Sequence, residues 1–206
     1  MTTNNSKQLR RQPEQDRAKK NLNAMLEAAA TLIGECGADG FSMAELARRA
    51  GVSKPALYRY FPNKQAVLLE LARASFQENR ELLVASLKPD NDDEWQAMRK
   101  AMQQYCQLQR SQPYRSHLRA AIQADPELMA LDMADTRQNS RFAEDIFTER
   151  YPGVDRQALR TRLMLIMSCA ETVAHMTTQV SSSEAEQLIE QFIQMCQASL
   201  PASRQA

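Results

Sequence analysis

The feature that most constrains this chain is a glycine corner between two short amphipathic segments near the front of the sequence. Ser42 is followed three residues later by Glu45, a spacing that predicts reciprocal capping of a helix start. Gly51 follows that segment, and glycine enters the left-handed conformation that ends a helix without a side-chain clash. Ser53 predicts a second N-cap, with Pro55 in the first turn. The stretch therefore predicts two short helices joined by a sharp corner.

A third and a fourth helix flank this pair. Pro62 disfavours helix in the residue before it, and Asn63 predicts the cap of a long helix that opens with Lys64. Upstream, residues 17–36 predict a helix that packs behind the pair, and Phe41 predicts a hydrophobic staple onto the next helix. The apolar positions of the upstream helix recur at spacings of three and four: Leu22, Met25, Leu26, Ala29, Leu32 and Ile33. Residues 17–64 are therefore predicted to form a three-helix domain.

The second helix of the pair predicts two contrasting faces. Leu57 and Phe61 lie four residues apart and are expected to pack inward. The positions left outside are Lys54, Ala56, Tyr58, Arg59 and Tyr60. Two cations and two tyrosines without a carboxylate favour a nucleic-acid-reading surface over an ordinary solvated helix face. In a helix-turn-helix motif the second helix enters the DNA major groove.

At these residues a resemblance becomes specific. The run GVSKPALYRYFPNK, preceded by FSMAELARRA, resembles the DNA-binding domain of the TetR family of bacterial transcription regulators, over about residues 22–71. The resemblance implies an all-α homodimer with an N-terminal helix-turn-helix domain and a larger C-terminal helical domain that binds a small-molecule inducer. It also implies phosphate contacts from Ser42, Tyr58, Tyr60 and Lys64. It leaves the inducer and the operator open.

The predicted contacts with double-stranded operator DNA fall on the corner and the second helix. Lys54 stands in the first turn and is expected to reach a base edge, while Ala56 is expected to meet a thymine methyl group. Arg59 is expected to reach a base or a phosphate. The complete predicted DNA-binding set is Ser42, Ser53, Lys54, Pro55, Ala56, Tyr58, Arg59, Tyr60 and Lys64.

The charge distribution agrees with this placement. Residues 1–64 hold 11 Lys or Arg against 6 Asp or Glu, which gives +5, whereas the remaining residues hold 15 against 19, which gives −4. A basic end on a slightly acidic body suits a protein that neutralises phosphates with one end only. A chance fluctuation of surface charge is the alternative explanation.

Composition and motifs argue against an enzyme and predict no cofactor and no metal site. The sequence holds five glycines and two histidines, with no glycine-rich phosphate loop, nucleophile elbow or HExxH motif. Four cysteines, at positions 36, 106, 169 and 196, lack the paired spacing of a zinc site. Cys169 and Cys196 lie within apolar helical patterns and are expected to be buried, with a redox sensor as the alternative.

The two ends of the chain predict polar segments. Residues 1–16 are expected to be a disordered basic arm, either a mobile tail or a minor-groove contact, and residues 201–206 a polar tail. The start lacks the apolar core of a signal peptide, and no run of about 18 apolar residues occurs. We therefore expect a cytoplasmic protein without a membrane partner.

Residues 65–200 predict a helical regulatory and dimerisation domain. The segment 155–180 is apolar nearly all round, which predicts burial on two sides, one against its own domain and the other against a second copy. Paired with the following helix, which the serines at 181–183 cap, it predicts a four-helix dimer interface. The predicted interface residues are Leu159, Leu163, Ile166, Ala170, Val173, Leu188 and Phe192.

Methionine-rich helix faces in this domain predict an adaptable apolar ligand pocket, with ordinary core packing as the alternative. The predicted polar end of the pocket is formed by His117, Glu171 and His175. Glu171 and His175 lie four residues apart and are equally consistent with a hydrogen-bonded pair at the dimer interface. The complete predicted pocket is Met98, Met102, Tyr105, His117, Met129, Met133, Phe142, Met164, Met167, Glu171 and His175. The leading functional prediction is a ligand-responsive repressor that binds a palindromic operator as a homodimer. The alternative is an architectural or partner-controlled DNA-binding protein without a ligand.

Overall fold

The computed structural model describes residues 6–87 and 93–200, with side chains described from residue 18 onward. These ranges are entirely helical apart from their connections, and no β-strand occurs in them. The helices are α1 (Ser6–Gly40), α2 (Met43–Arg49), α3 (Lys54–Tyr60), α4 (Lys64–Ser86), α5 (Glu94–Ser111), α6 (Tyr114–Ala124), α7 (Pro126–Arg150), α8 (Arg156–Thr177) and α9 (Ser182–Ser199). The predicted all-α fold is confirmed.

The chain divides into two compact units, one reaching to Arg73 and the other starting at Ala74. The division falls within α4, whereas the sequence prediction placed it after Lys64, at the start of that helix.

The first unit has a core built from its first three helices. Met25 and Ile33 of α1, Leu46 of α2 and Leu57 of α3 are fully buried, and these are the apolar positions that the sequence pattern selects. Gly51 adopts a φ of 65°, the left-handed conformation that the corner between α2 and α3 requires. The predicted two-helix corner is therefore present.

Helix α1 begins earlier than the composition predicts. Residues 6–16 are helical in the structure, so the prediction of a disordered arm is wrong for them, while residues 1–5 and the tail at 201–206 lie outside the described residues. The segment is rich in Gln and Arg, which have high helix propensity. At its other end α1 is interrupted by Gly37, with a φ of 76° and a ψ of 168°.

The second unit contains two clusters of buried apolar side chains. The first joins α5, α8 and α9 through Met102, Ala174 and Ile193. The second joins α7 and α8 through Phe147 and Leu163, and Leu87 and Leu200 add to it. Side-chain caps start α7 at Asp125, α8 at Asp155 and α9 at Ser181.

Candidate nucleic-acid interface and ligand cavity

Helix α3 exposes a cationic and aromatic surface in the first unit. Lys54, Pro55 and Arg59 are exposed, and Tyr58 is 49% exposed although its side chain is large and aromatic. Lys54 and Arg59 form no ion pair with any residue that the structure describes. Unpaired cations beside an exposed tyrosine are suited to a polyanion, because no internal partner has to be given up on binding.

The first turns of α2 and α3 are held by serine caps. The Ser42 hydroxyl accepts from the backbone N–H of Glu45 at 3.2 Å, and the Ser53 hydroxyl accepts from that of Ala56 at 3.3 Å. Both serines are exposed, whereas Ala56 and Tyr60 are half-buried. The caps fix where α3 starts, and so they fix the direction in which Lys54 leaves the helix.

The reciprocal half of the predicted α2 capping box does not form. Glu45 binds Arg48 at 2.8 Å and Arg49 at 3.2 Å instead of returning to the backbone of Ser42. The hydrogen bonds from Arg48, then those from Arg49, lower the pKa of the Glu45 carboxyl to about 2. Arg49 also binds Glu35 of α1 at 2.7 Å. Two of the cations near the corner are thereby engaged within the unit.

Lys64 is placed differently from the other predicted contacts. Its ammonium donates to the backbone oxygen of Asp39 at 2.8 Å and lies 4.6 Å from the ring centre of Phe41. The cation–π contact and the hydrogen bond tie the start of α4 to the segment before α2. A lysine ammonium has three donors, so it keeps capacity for a further acceptor.

The second unit contains a cavity of about 160 Å³ lined by residues of α4, α5, α7, α8 and α9. The walls include Phe76, Ala101, Ile166, Ala170 and Phe192. Five residues of the predicted pocket lie in this lining, namely Met98, Met102, Tyr105, Met167 and Glu171. The methionine-rich faces of α5 and α8 therefore meet around a cavity, which the sequence pattern alone does not distinguish from ordinary core packing.

Six predicted pocket residues do not line this cavity. His117, Met129, Met133 and Phe142 are exposed, because they lie on outward faces of α6 and α7. Met164 is half-buried on α8 but turned away from the cavity. His175 lies with Glu171 beside a separate small recess of about 20 Å³ between α4, α6 and α8. The sequence prediction selected the methionines and Phe142 by apolarity and the two histidines as ionisable groups, and neither criterion distinguishes one helix face from another.

The residues that α7 does present to the cavity are polar and were not predicted: Asp132, Asp135, Thr136 and Asn139. Their spacing of three and four puts them on one face of the helix, in line with the buried Leu128 and Ala143. This spacing is the one signal by which the sequence indicates them. Asn79 of α4 completes the polar side.

Burial, together with the negative charges of Glu171 and Asp135, raises the pKa of the Asp132 carboxyl to about 6, against an opposing effect from Arg119. Burial also raises the pKa of the Tyr105 hydroxyl, with a smaller contribution from Glu171. Glu171 pairs with Arg119, and Asp135 pairs with Arg80. Asp132 has no hydrogen bond or ion pair to any described residue.

A buried arginine stands next to the cavity and joins α4 to α6. Arg115 is 3% exposed and donates to Ser75 at 2.8 Å, Asn79 at 3.0 Å and Gln112 at 2.7 Å. It also pairs with Glu78. The network fixes the amide of Asn79, one of the polar side chains that line the cavity.

Three of the seven predicted dimer-interface residues are buried within one chain and the other four are half-buried, so their contact with a second copy stays a prediction. Leu159, Leu163 and Phe192 belong to the core clusters, and Ile166 and Ala170 line the cavity. Val173 packs against the first cluster, and Leu188 is half-buried. The apolar side chains that α8 and α9 leave exposed are Leu165 (61%), Met176 (44%) and Met195 (63%).

The cysteines divide differently from the prediction. Cys196 is buried as expected, but Cys169 is exposed, because it lies on the outward face of α8 that the apolar pattern does not distinguish from the inward one. Burial raises the pKa of the Cys196 thiol to about 12. Among the described residues no group of three His, Cys, Asp or Glu side chains is placed to hold a metal ion. In the same ranges, no helix combines the length and the apolar composition needed to cross a bilayer.

Two protein-family models match the chain, one for each part. Residues 25–71 match the model described as bacterial regulatory proteins of the tetR family, and residues 92–203 match the model described as the tetracyclin repressor-like C-terminal domain. The first match contains the corner and α3, and the second contains α5 to α9.

The chain is also similar to two tetracycline repressor proteins. The chain is 43% identical over 75 residues to the class A tetracycline repressor protein from transposon 1721 of Escherichia coli, a match covering 36% of this chain and 33% of that protein. It is 31% identical over 120 residues to the class C tetracycline repressor protein of Escherichia coli, covering 58% and 52%. The matches thus span about a third and about a half of those two relatives.

The fold of nearly the whole chain is similar to that of a solved structure. The TetR-family transcriptional regulator from Streptomyces coelicolor superimposes with a TM-score of 0.64 at 22% identity, covering 87% of this chain and 96% of the other. The family models cover both the helix-turn-helix and most of the second unit. The chain belongs to the TetR family of helix-turn-helix transcriptional regulators.

Proposed function

We propose that this regulator is a ligand-responsive repressor that binds a palindromic operator as a homodimer. The observation that carries the proposal is the cavity of about 160 Å³ in the second unit, which combines apolar walls with an unpaired, partly buried carboxyl group. Such a combination is typical of a small-molecule site, because apolar walls supply affinity and a few polar groups fix orientation. We expect the protein to act in the compartment that holds the DNA, the cytoplasm.

The proposed DNA contacts remain those of the corner and α3. The exposed, unpaired Lys54 and Arg59 and the exposed ring of Tyr58 support base or phosphate contacts, with Ala56 beside them. Ser42, Ser53, Pro55 and Tyr60 are proposed to approach the backbone, where exposed helix ends attract phosphate. Lys64 is proposed as a phosphate contact through the donors that Asp39 leaves unused.

A homodimer is supported by the outward faces of α8 and α9. Arg162 of α8 donates to the backbone oxygen of Ser199 of α9 at 3.1 Å. The short connection between α8 and α9 makes them antiparallel, and Leu165 and Met195 each lie about one turn from this hydrogen bond. Large apolar side chains exposed together are typical of a surface that a partner covers. We propose that a second copy covers them.

The DNA-binding part of the proposal is tested by selecting bound sites from random duplex DNA. Half-sites are expected in inverted orientation, separated by one helical turn of roughly 34–36 Å or a small multiple of it. Arg59→Ala is expected to weaken binding and to lower the slope of log affinity against log salt by about one if Arg59 contacts phosphate. Lys100→Ala, which removes an exposed cation from α5, is the matched control and should leave the slope unchanged. Equal slopes for both variants would exclude a phosphate contact from Arg59, and an unchanged affinity as well would remove Arg59 from the interface.

The ligand response is tested on the same selected site. Release from DNA is measured by fluorescence anisotropy while small molecules of varied charge are titrated. A repressor of the proposed kind loses DNA affinity as its effector fills the cavity, because effector and operator favour different conformations. Binding in the cavity without any change in DNA affinity would instead favour the ligand-independent, architectural role.

A further inference from the structure

We infer that the cavity of the second unit selects a compact amphipathic cation, an ammonium carried on an apolar body of about one ring, whose nitrogen pairs with Asp132. This inference rests on the proposed function, in which the cavity is the effector site. It names the chemical class of the effector from the groups that surround the cavity.

The charges around Asp132 leave one carboxyl group without a partner. Arg119 of α6 acts on Asp132 but pairs with Glu171 of α8, and Arg80 of α4 pairs with Asp135, the next carboxyl group on the same face of α7. Tyr105 of α5 lies at the same cavity and is neutral. The polar side of the cavity therefore has one surplus negative charge when Asp132 is ionised.

The hydrogen-bonding groups show the same surplus of acceptors. The side-chain oxygen of Asn139 is buried and has no hydrogen-bond partner among the described residues. Its orientation is fixed because its Nδ2 donates to Asp135 at 2.8 Å, and that carboxylate also accepts from Arg80. A buried acceptor without a donor costs free energy that a ligand N–H recovers. An ammonium, which has only donors, matches this surplus of acceptors.

The walls and the volume define the rest of the ligand. Methionine, isoleucine and phenylalanine side chains form the apolar side, and flexible thioethers adapt to a ring. The volume of about 160 Å³ is similar to that of an apolar protein cavity of roughly 150 Å³ that binds benzene. A phenyl ring on a short alkylammonium chain is therefore of the expected size.

The test uses three probes of nearly equal shape: 2-phenylethylammonium, the neutral 2-phenylethanol and the anionic phenylacetate. Binding to the full-length protein is measured by isothermal titration calorimetry at about pH 7.5. The cation is expected to bind at least about tenfold more tightly than the alcohol, because a charge-assisted hydrogen bond is stronger than a neutral one, and the anion is expected not to bind. If the alcohol or the anion binds as tightly as the cation, or if no probe binds, the inference is overturned.

Two comparisons attribute the preference to Asp132. Asp132→Asn should reduce the affinity for 2-phenylethylammonium about tenfold and abolish the preference over the alcohol. Asp145→Asn, on an exposed carboxylate of the same helix outside the cavity, should bind as the parent protein does. For the unmodified protein, affinity for the cation should fall roughly tenfold between about pH 7 and pH 5, because the Asp132 carboxyl becomes protonated. Unchanged affinity in both the variant and the pH series would exclude Asp132.

Parallel measurements on DNA separate this inference from the proposed function. If the cation binds through Asp132 but leaves affinity for the selected DNA site unchanged, the ligand class stands and the regulatory role fails. If a neutral or anionic compound binds in the cavity and releases DNA, the regulatory role stands and the inferred ligand class fails.

Discussion

Replacing Arg115 by alanine is expected to destabilise the second unit by about 2–4 kcal/mol. Three neutral acceptors, on Ser75, Asn79 and Gln112, lose their donor. Each such hydrogen bond contributes about 1 kcal/mol net, and a buried acceptor left unsatisfied costs more. Relief of the cost of burying the guanidinium works in the opposite direction. Glu78 is half-exposed and becomes hydrated, so its ion pair adds less than about 1 kcal/mol.

The assay is urea unfolding followed by circular dichroism, at one fixed protein concentration because an oligomer gains stability by mass action. At about 2–4 °C per kcal/mol for a chain of this size, the melting temperature should fall by roughly 5–15 °C. Arg73→Ala, which removes an exposed ion pair with Glu70, is the matched control and should change stability by less than about 0.5 kcal/mol.

Arg115→Lys separates geometry from charge. Lysine keeps the positive charge but lacks the planar set of donors, so it should recover less than half of the lost stability. If Arg115→Ala unfolds within about 1 kcal/mol of the Arg73→Ala control, or if lysine restores full stability, the network does not fasten α4 to α6 in the way described.

Three further predictions follow from other parts of the structure. Leu165→Glu should shift the protein from dimer to monomer in analytical ultracentrifugation at micromolar concentration. The control is Thr161→Glu, which changes an exposed polar position one turn away and should leave the dimer intact. A dimeric Leu165→Glu variant would exclude the outward face of α8 from the interface. Ser53→Ala should lower the free energy of unfolding by about 1 kcal/mol in urea, because α3 loses its N-cap, and Ser53→Gly should lower it less. An unchanged urea midpoint for the alanine variant would refute the contribution of the cap. Because the folded state raises the pKa of Asp132 from 3.8 to about 6, the stability contributed by its protonated form is complete below about pH 4 and lost as the pH rises through 6. Asp132→Asn should therefore gain about 1 kcal/mol relative to the parent at about pH 7.5, after allowance for solvent screening, and almost nothing at about pH 4.5; equal differences at both pH values would contradict this.

The sequence by itself determined the features that depend on local chemistry. Glycine at 51, serine caps at 42 and 53 and the proline in the first turn of α3 each act within a few residues, so the corner and its exposed cations were predictable. Leu57 and Phe61 pack inward as their spacing predicts. The caps at Asp125, Asp155 and Ser181 likewise act on the helix starts next to them.

Only the tertiary structure decided which face of each long helix turns inward. Apolarity selected Met129, Met133 and Phe142 of α7 for the pocket, but that helix presents Asp132 and Asn139 to the cavity instead. On α8, apolar side chains occur on nearly every face, so periodicity did not distinguish the core from the exposed side. The ion pairs that help to settle which face turns inward are those of Arg80, Arg115 and Arg119. Each pair joins helices that are distant in sequence, and no local pattern encodes such pairings.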